Sequence, residues 1–323
     1  MNNFIINDFK DEVEDTLRRW ERKEDFEYYT SGSTGTPKKV IHSYEVIKKV
    51  SEEVVRQYNY TKDSYIYSIH PIGAIGGATL SVIPALIANC TLKIKKFNAK
   101  TYIDDLISGP THTVIIPAIY RVMSKTKKWK NADFSSINSI ICGSDMIPEG
   151  MSAEVISKGA KQFKMVYGST EVPPSITNSI DERNVGSDLS PLIDYYFGDD
   201  GELFVKWNFQ KNYWQSGDIF NEQFEIVGRK KNILKIAGCN AIHPEMCEKY
   251  ILDNCDVTKV LLQVKNNKPH LYFEGNASQE EVKKILDDWY FSDITKNVVQ
   301  KVTEIKTNEM NKIIREQIFT ASI

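Results

Sequence analysis

The stretch YYTSGSTGTPKKV, Tyr28 to Val40, sets two glycines, five Ser/Thr hydroxyls and a lysine pair in one short run. Neither a helix nor a strand favours that composition, so the run predicts a loop. Ahead of it, the aromatic FEYY (26–29) predicts a strand. Behind it, Val46, Ile47, Val50, Val54, Val55 and Tyr58 recur on one helical face, with Ser43 as the N-cap. The loop is therefore expected to run into a helix. A strand, a glycine-rich turn and a helix in that order bring backbone N–H groups to face an anion. The spacing from Gly32 to Lys38 does not fit the G-x-x-x-x-G-K-[ST] phosphate loop. Taken alone, the run fits a solvated Ser/Thr-rich turn equally well.

The whole chain bounds what such a loop can serve. Its 323 residues, 41% hydrophobic and 26% charged, match a soluble globular protein of two or three domains. A net charge of −2 provides no basic field for nucleic acid. No apolar run approaches the ~20 residues that span a bilayer. The opening MNNFIINDFKDEVED lacks the basic-then-apolar order of a signal peptide, which predicts a cytoplasmic protein. The cysteines (90, 142, 239, 247 and 255) form no C-x-x-C pair and read as reduced structural thiols. The histidines show no metal-ligand spacing.

Strand and helix patterns alternate from residue 64 onward. SYIYSI (64–69), TLKIKKF (91–97), THTVII (111–116), SINSII (136–141) and KMVY (164–167) read as strands. Helical patterns lie between them at 78–89, from Pro117 and near 150–158. This predicts α/β architecture with layered sheets. From 201 the pattern becomes β-rich, and SGDIF-NE-QFEIV reads as a hairpin. Strands at 257–264 and 269–274 precede a capping box formed by Ser278 and Glu281. The expected organisation is a large domain over 1–229 and a small α+β domain over 230–323.

Four further segments give the first loop a context: VYGSTEV (166–172), YWQSGDIF (213–220), VGRKKNILKIAGCNAIHPEMCE (227–248) and TNEMNKIIR (307–315). TSGSTGTPK resembles the phosphate-gripping signature of the adenylate-forming superfamily, which includes acyl- and aryl-CoA ligases, peptide-synthetase adenylation domains and luciferases. YGSTE, SGD, GRKKNILKIAG with IHPE, and NEMNKIIR resemble that family's later signatures, in the family's order. The resemblance implies a carboxylate joined to the α-phosphate of ATP with release of pyrophosphate.

On that resemblance each position takes a role. Thr30, Ser31, Gly32, Ser33, Thr34, Gly35 and Lys38 would hold the β- and γ-phosphates through N–H groups, hydroxyls and charge. Tyr167 would stack near adenine, within the segment Tyr167, Gly168 and Ser169. Thr170 would meet the α-phosphate, and Glu171 would help bind Mg²⁺, a hard ion suited to oxygen. Asp218 would accept hydrogen bonds from the ribose hydroxyls. Arg229 would reach ribose or phosphate, with pairing to a neighbouring acid as its alternative. Lys312 would bridge carboxylate and phosphate in the transition state. The small C-terminal domain would be mobile, pivoting at Lys231 to present Lys235 and Gly238 for thiol attack. The acyl pocket would be walled by Ile72, Gly73, Ala74, Gly76, Gly77, Cys142, Gly143 and Ser144, mostly small or apolar, which favours an aryl or modest hydrophobic acid.

The chain departs from the family pattern in places. The phosphate loop begins within the first thirty residues, so most of the N-terminal subdomain is expected to be absent; a more open acyl site or a second subunit in a homo-oligomer would compensate. Ala74 replaces the usual aromatic or histidine gate, and the missing aspartate there weakens an amino-acid substrate. Asn311, Lys39 and Lys306 stand where Gly, Gly and Pro are common. KTKKWK (125–130) is expected to be an exposed loop rather than a CoA-phosphate site. Cys142 and Cys239 carry no sign of a nucleophile. His70 is expected to be a structural histidine with satisfied hydrogen bonds, its alternative being the acyl pocket. Three functions follow. The leading one is an AMP-forming acid–thiol ligase using ATP, Mg²⁺ and CoA. The second loads the phosphopantetheine thiol of an acyl carrier protein. The third is a non-catalytic nucleotide-binding subunit.

Overall fold

A computed structural model describes residues 4–30, 38–173, 190–221, 226–234, 242–266, 268–288, 298–307, 313–317 and 319. Among them the strands are β1 (Phe4–Ile6), β2 (Phe26–Thr30), β3 (Lys38–His42), β4 (Tyr65–Ser68), β5 (Thr91–Ile94), β6 (His112–Val114), β7 (Ser139–Gly143) and β8 (Phe163–Val166). There follow β9 (Ile193–Phe197), β10 (Glu202–Trp207), β11 (Trp214–Phe220), β12 (Ile226–Arg229), β13 (Val257–Lys265), β14 (Lys268–Gly275) and β15 (Val298–Lys301). The chain forms two compact units, Met1–Tyr196 with Phe204–Gln215, and Phe197–Leu203 with Ser216–Ile323.

The first unit is built on a six-stranded sheet of order β1-β5-β4-β6-β7-β8, with every pairing parallel. All residues of β6 and β7 are buried, as expected where helices cover both faces of a parallel sheet. Helix Tyr44–Tyr58 contributes Val54 and Tyr58 to a core shared with Ile66, Leu92, Val114 and Ile141 of the sheet. Ser43 caps that helix by accepting from the Val46 N–H at 3.4 Å.

Two expectations need correction here. The glycine-rich run does not pass straight into the helix: Lys38–His42 forms a strand antiparallel to Phe26–Thr30, with Tyr28 opposite Val40 and Thr30 opposite Lys38. Its two lysines obscure a period-two pattern in which Lys39 and Ile41 face out while His42 is buried. The segment 31–37 thus connects two paired strands. KTKKWK is not an exposed loop either. Its Trp129 is fully buried, donates Nε1–H to Glu154 at 2.9 Å and meets Tyr120 and Phe134 edge-on. Lys127–Lys130 forms a helical turn whose lysines surround that anchor.

A further sheet has the order β12-β11-β10-β9, and the hairpin expected at SGDIF is the antiparallel β11–β12 pair. The second unit also holds the sheet β13-β14-β15, packed against helices Pro244–Asn254 and Gln279–Asp287 through Ile251, Val260, Phe273, Val282 and Leu286. The capping box of Ser278 and Glu281 is present in full.

Three histidines, His42, His70 and His112, are buried in the first unit, and the last two carry the largest shifts. His112 bonds the Tyr58 carbonyl through Nε2 at 3.0 Å, and burial, with Lys164 adding to it, lowers its pKa to about 4. Burial lowers His70 to about 4 as well. The unfolded chain, with histidine near 6.5, takes up these protons first. Stability is therefore full above about pH 6.5 and falls as pH drops toward about 4, by on the order of 3 kcal/mol per histidine at the full extent. Thermal midpoints measured between about pH 7 and about pH 5 should decline, and His112→Gln should flatten the decline; a midpoint constant across that range contradicts it.

Candidate functional site

Because the strands are parallel, the segments leaving β4, β6, β7 and β8 emerge at one edge of the sheet. The chain steps from β4 to β5 on one side and returns to β6 on the other. The carboxyl ends of β4 and β6 therefore form the switch point where open α/β sheets bind ligands.

The segment after β4 carries His70 to Gly77. Ile72 and Gly77 are buried, Ala74 and Gly76 half-buried, and Gly73 is exposed. A Cβ at Gly77 would overlap the Pro71 carbonyl, so the backbone itself demands glycine there. A π-helical turn, Ala78–Val82, follows directly. His70 is 9% exposed, and its Nδ1 has no hydrogen-bond partner among the described residues, against the expectation of a satisfied structural histidine. Its depressed pKa keeps it neutral at pH 7, so this edge receives no positive charge from it.

At the end of β7, Cys142 and Gly143 are buried, and Ser144, just beyond it, is exposed. A Cβ at Gly143 would sit 2.5 Å from the Val166 carbonyl oxygen, so β7 and β8 can approach only with glycine there. Ser144 stands at φ 77°, a left-handed conformation costing a serine about 1–3 kcal/mol. Burial pushes the Cys142 thiol far above its ordinary range and its Sγ lies 3.9 Å from Met151 Sδ, which fits the expectation that it is no nucleophile.

After β8, Tyr167 is buried, Gly168 exposed, and Ser169 to Glu171 half-buried. The Ser169 hydroxyl accepts from the N–H groups of Glu171 and Val172, both at 3.1 Å, and Ser169 N–H donates to the Val172 carbonyl at 2.9 Å. This closes a tight turn with Thr170 and Glu171 at its tip. The Thr170 carbonyl in turn accepts from Nε2 of His42, at 2.6 Å, at the end of β3. That bond ties the turn to the hairpin whose mouth is Thr30 and Lys38, where Thr30 Oγ1 donates to the Lys38 carbonyl at 3.4 Å. The bond is made at the end of the hairpin opposite Thr30 and Lys38, where His42 pairs with Phe26. The connecting His42 was not foreseen; only its inward place in the KKVIH alternation could have indicated it. Glu171 carries a carboxylate, a hard-oxygen donor of the kind that suits Mg²⁺. No group of three or more potential metal ligands occurs among the described residues.

The second unit holds the remaining described positions. Asp218 on β11 is opposite Arg229 on β12, and the Arg229 Nε lies 2.8 Å from the Asp218 carboxylate. Arg229 therefore has the acidic partner given as its alternative, and that partner is Asp218 itself. Partial desolvation lowers the pKa of Lys231, with Arg229 and Arg315 adding to the effect. Beside it, Asn232 Nδ2 donates to Glu245 at 2.5 Å. Glu245 lies 3.4 Å from Arg315, whose guanidinium grips Glu248 in two bonds of 2.8 and 2.7 Å. Burial raises the Glu248 pKa to about 7 against the pull of Arg315. Thr307 and Ile313 form an antiparallel bridge on either side of Lys312. Ser31 to Gly35, Lys235, Gly238, Cys239, Asn311 and Lys312 themselves lie outside the described residues.

A model of the family described as AMP-binding enzyme matches residues 10–193. Indoleacetate–CoA ligase of Aromatoleum aromaticum is 28% identical over 269 residues, 72% of this chain and 52% of that protein. Feruloyl-CoA synthase of an Amycolatopsis species is 22% identical over 258 residues, 68% of this chain and 52% of that protein. The chain thus spans about half the length of these curated relatives. The structure of O-succinylbenzoate Coenzyme A synthetase (MenE) from Bacillus subtilis, in complex with AMP, superposes with TM-score 0.77 at 19% identity over 91% of this chain and 69% of that one. The shared fold is that of adenylate-forming enzymes, α/β with one parallel sheet beside antiparallel ones.

The Arg315–Glu248 pair makes a prediction about the second unit. Arg315→Met leaves a buried carboxyl without its partner and should cost about 3–5 kcal/mol. Pairing it with Glu248→Gln should restore a large part of the loss. Denaturant unfolding checks this, and a single variant as stable as the parent contradicts it.

Proposed function

Since the chain belongs to the AMP-binding enzyme family, we propose that it is an AMP-forming acid–thiol ligase that activates a carboxylic acid with MgATP and passes the acyl group to CoA. The observation that carries this reading is the junction of the glycine-loop hairpin and the Tyr167–Glu171 turn, at the carboxyl edge of the parallel sheet. In the first step a carboxylate oxygen attacks the α-phosphorus, and the bond to the bridging oxygen of pyrophosphate breaks. In the second, a thiolate attacks the acyl carbon and AMP departs.

The chain's own residues serve the first step by binding and charge. Thr30 to Gly35 and Lys38 hold the β- and γ-phosphates, Thr170 the α-phosphate and Tyr167 the adenine. Mg²⁺, when bound through Glu171 and the phosphates, neutralises developing charge. Asp218 accepts from the ribose, with Arg229 fixed beside it. Lys312 supplies the cation that lets two anions meet. Residues 230–323 form the small domain, hinged at Lys231, and Lys235 serves the thioester step. Ile72 to Gly77 and Cys142 to Ser144 wall the acid site. Their small or apolar character, and relatives named for indoleacetate and ferulate, favour an aryl acid. Among the described residues no helix is long and apolar enough to cross a membrane.

Supplied with ATP, Mg²⁺, CoA and a panel of aryl, fatty and amino acids, the protein should release pyrophosphate in response to aryl acids. Lys312→Ala should lower that rate about 100-fold or more while ATP binding persists. Acid-independent or absent release across the panel contradicts the proposal.

A further inference from the structure

His42 lies at the end of β3, paired in register with Phe26, and is 5% exposed. Phe26 and Tyr28 of the same hairpin pack with Ile47, Ile75, Ala78 and Ile83. That apolar contact seats the hairpin on the segment that follows β4. A polar contact joins the hairpin to the Tyr167–Glu171 turn, the 2.6 Å bond from His42 Nε2 to the Thr170 carbonyl. A carbonyl oxygen only accepts, so Nε2 carries the proton. The bond joins residues 128 apart in the chain, and it reaches the peptide adjoining Glu171. Within the turn, the Ser169 hydroxyl already fixes the Glu171 N–H. The Thr170–Glu171 peptide is therefore held from both sides, by Ser169 within the turn and by His42 from the hairpin.

Resting on the ligase reading, we propose that His42 is a positioning residue for the adenylation step: it sets the Thr170–Glu171 turn at a fixed distance from the hairpin Phe26–His42, whose other end carries Thr30 and Lys38. Groups that grip one triphosphate from two separate elements must keep their spacing, because misplacement of about 1 Å can cost on the order of 100-fold in rate. The triphosphate exists only in the first step. Transfer of the acyl group from a finished acyl-adenylate to a thiol keeps the α-phosphate that Thr170 meets but has no β- or γ-phosphate to align, so it should depend on His42 less than adenylation does.

Three variants test this. His42→Phe keeps a ring of similar size without the donor. His42→Gln places an amide N–H near the position of Nε2, whereas His42→Asn falls short of it. Adenylation is read as acid-dependent pyrophosphate release, transfer as thioester formation from supplied acyl-adenylate, and MgATP affinity by calorimetry. Phe and Asn should raise the dissociation constant for MgATP and lower kcat/KM for ATP by about 10- to 100-fold, with transfer reduced clearly less than adenylation and Gln close to the parent in both. If His42→Phe unfolds, the comparison of Gln with Asn reads the same contrast. Equal loss in both steps, unchanged MgATP affinity in Phe and Asn, or Gln as defective as Asn overturns the proposal. A parent that binds MgATP but releases no pyrophosphate with any acid refutes the ligase reading instead, and the calorimetric contrast still judges His42.

Discussion

Parallel pairing of six strands is the constraint from which the rest follows. Strands that all point one way deliver their trailing segments to one edge, and here the segments after β4, β7 and β8 carry the residues expected to handle substrate. The pairing is tight where it matters: β7 lies so close to the Val166 carbonyl that residue 143 has no room for a Cβ. Ser144 and Tyr167, which leave these adjacent strands, are consequently neighbours at the edge. The left-handed Ser144 follows that glycine, so the local strain sits where the strand must end and turn.

Charge at this edge is distributed in a definite way. His70 is uncharged at neutral pH, and burial lowers the pKa of His42 too, against the opposing effects of the Thr170 carbonyl and Glu171. Positive charge for an anionic ligand has to come from lysine and arginine. In the second unit Arg229 is already balanced by Asp218, and Arg315 by Glu248 and Glu245. A cation committed to a buried carboxylate organises structure more than it attracts phosphate.

Much of this was readable in the residues. Alternating strand and helix patterns gave the α/β layered architecture, whereas the parallel order of the sheet appeared only in the structure. Ser43 and Ser278 marked helix starts because a hydroxyl there satisfies an otherwise unpaired N–H. What escaped was whatever depended on packing between distant residues. The strand Lys38–His42 was hidden by lysines whose aliphatic stems and charges lie outside. Trp129 passed for a loop residue among lysines, since its burial depends on Tyr120, Phe134 and Glu154, each contributed from outside its own segment. No local pattern could reveal that His42 meets Thr170, or that His70 Nδ1 would have no partner among the described residues.

The central claim is that the edge formed by the hairpin mouth and the turn after β8 grips the nucleotide. A crystal structure of the protein with ATP, Mg²⁺ and a non-reactive aryl acid analogue tests it most directly. The account predicts the triphosphate lying between Thr30, Lys38 and the Thr170–Glu171 tip, with the acid beside the segments after β4 and β7. Nucleotide bound away from that edge, with the hairpin mouth free of phosphate, would contradict it.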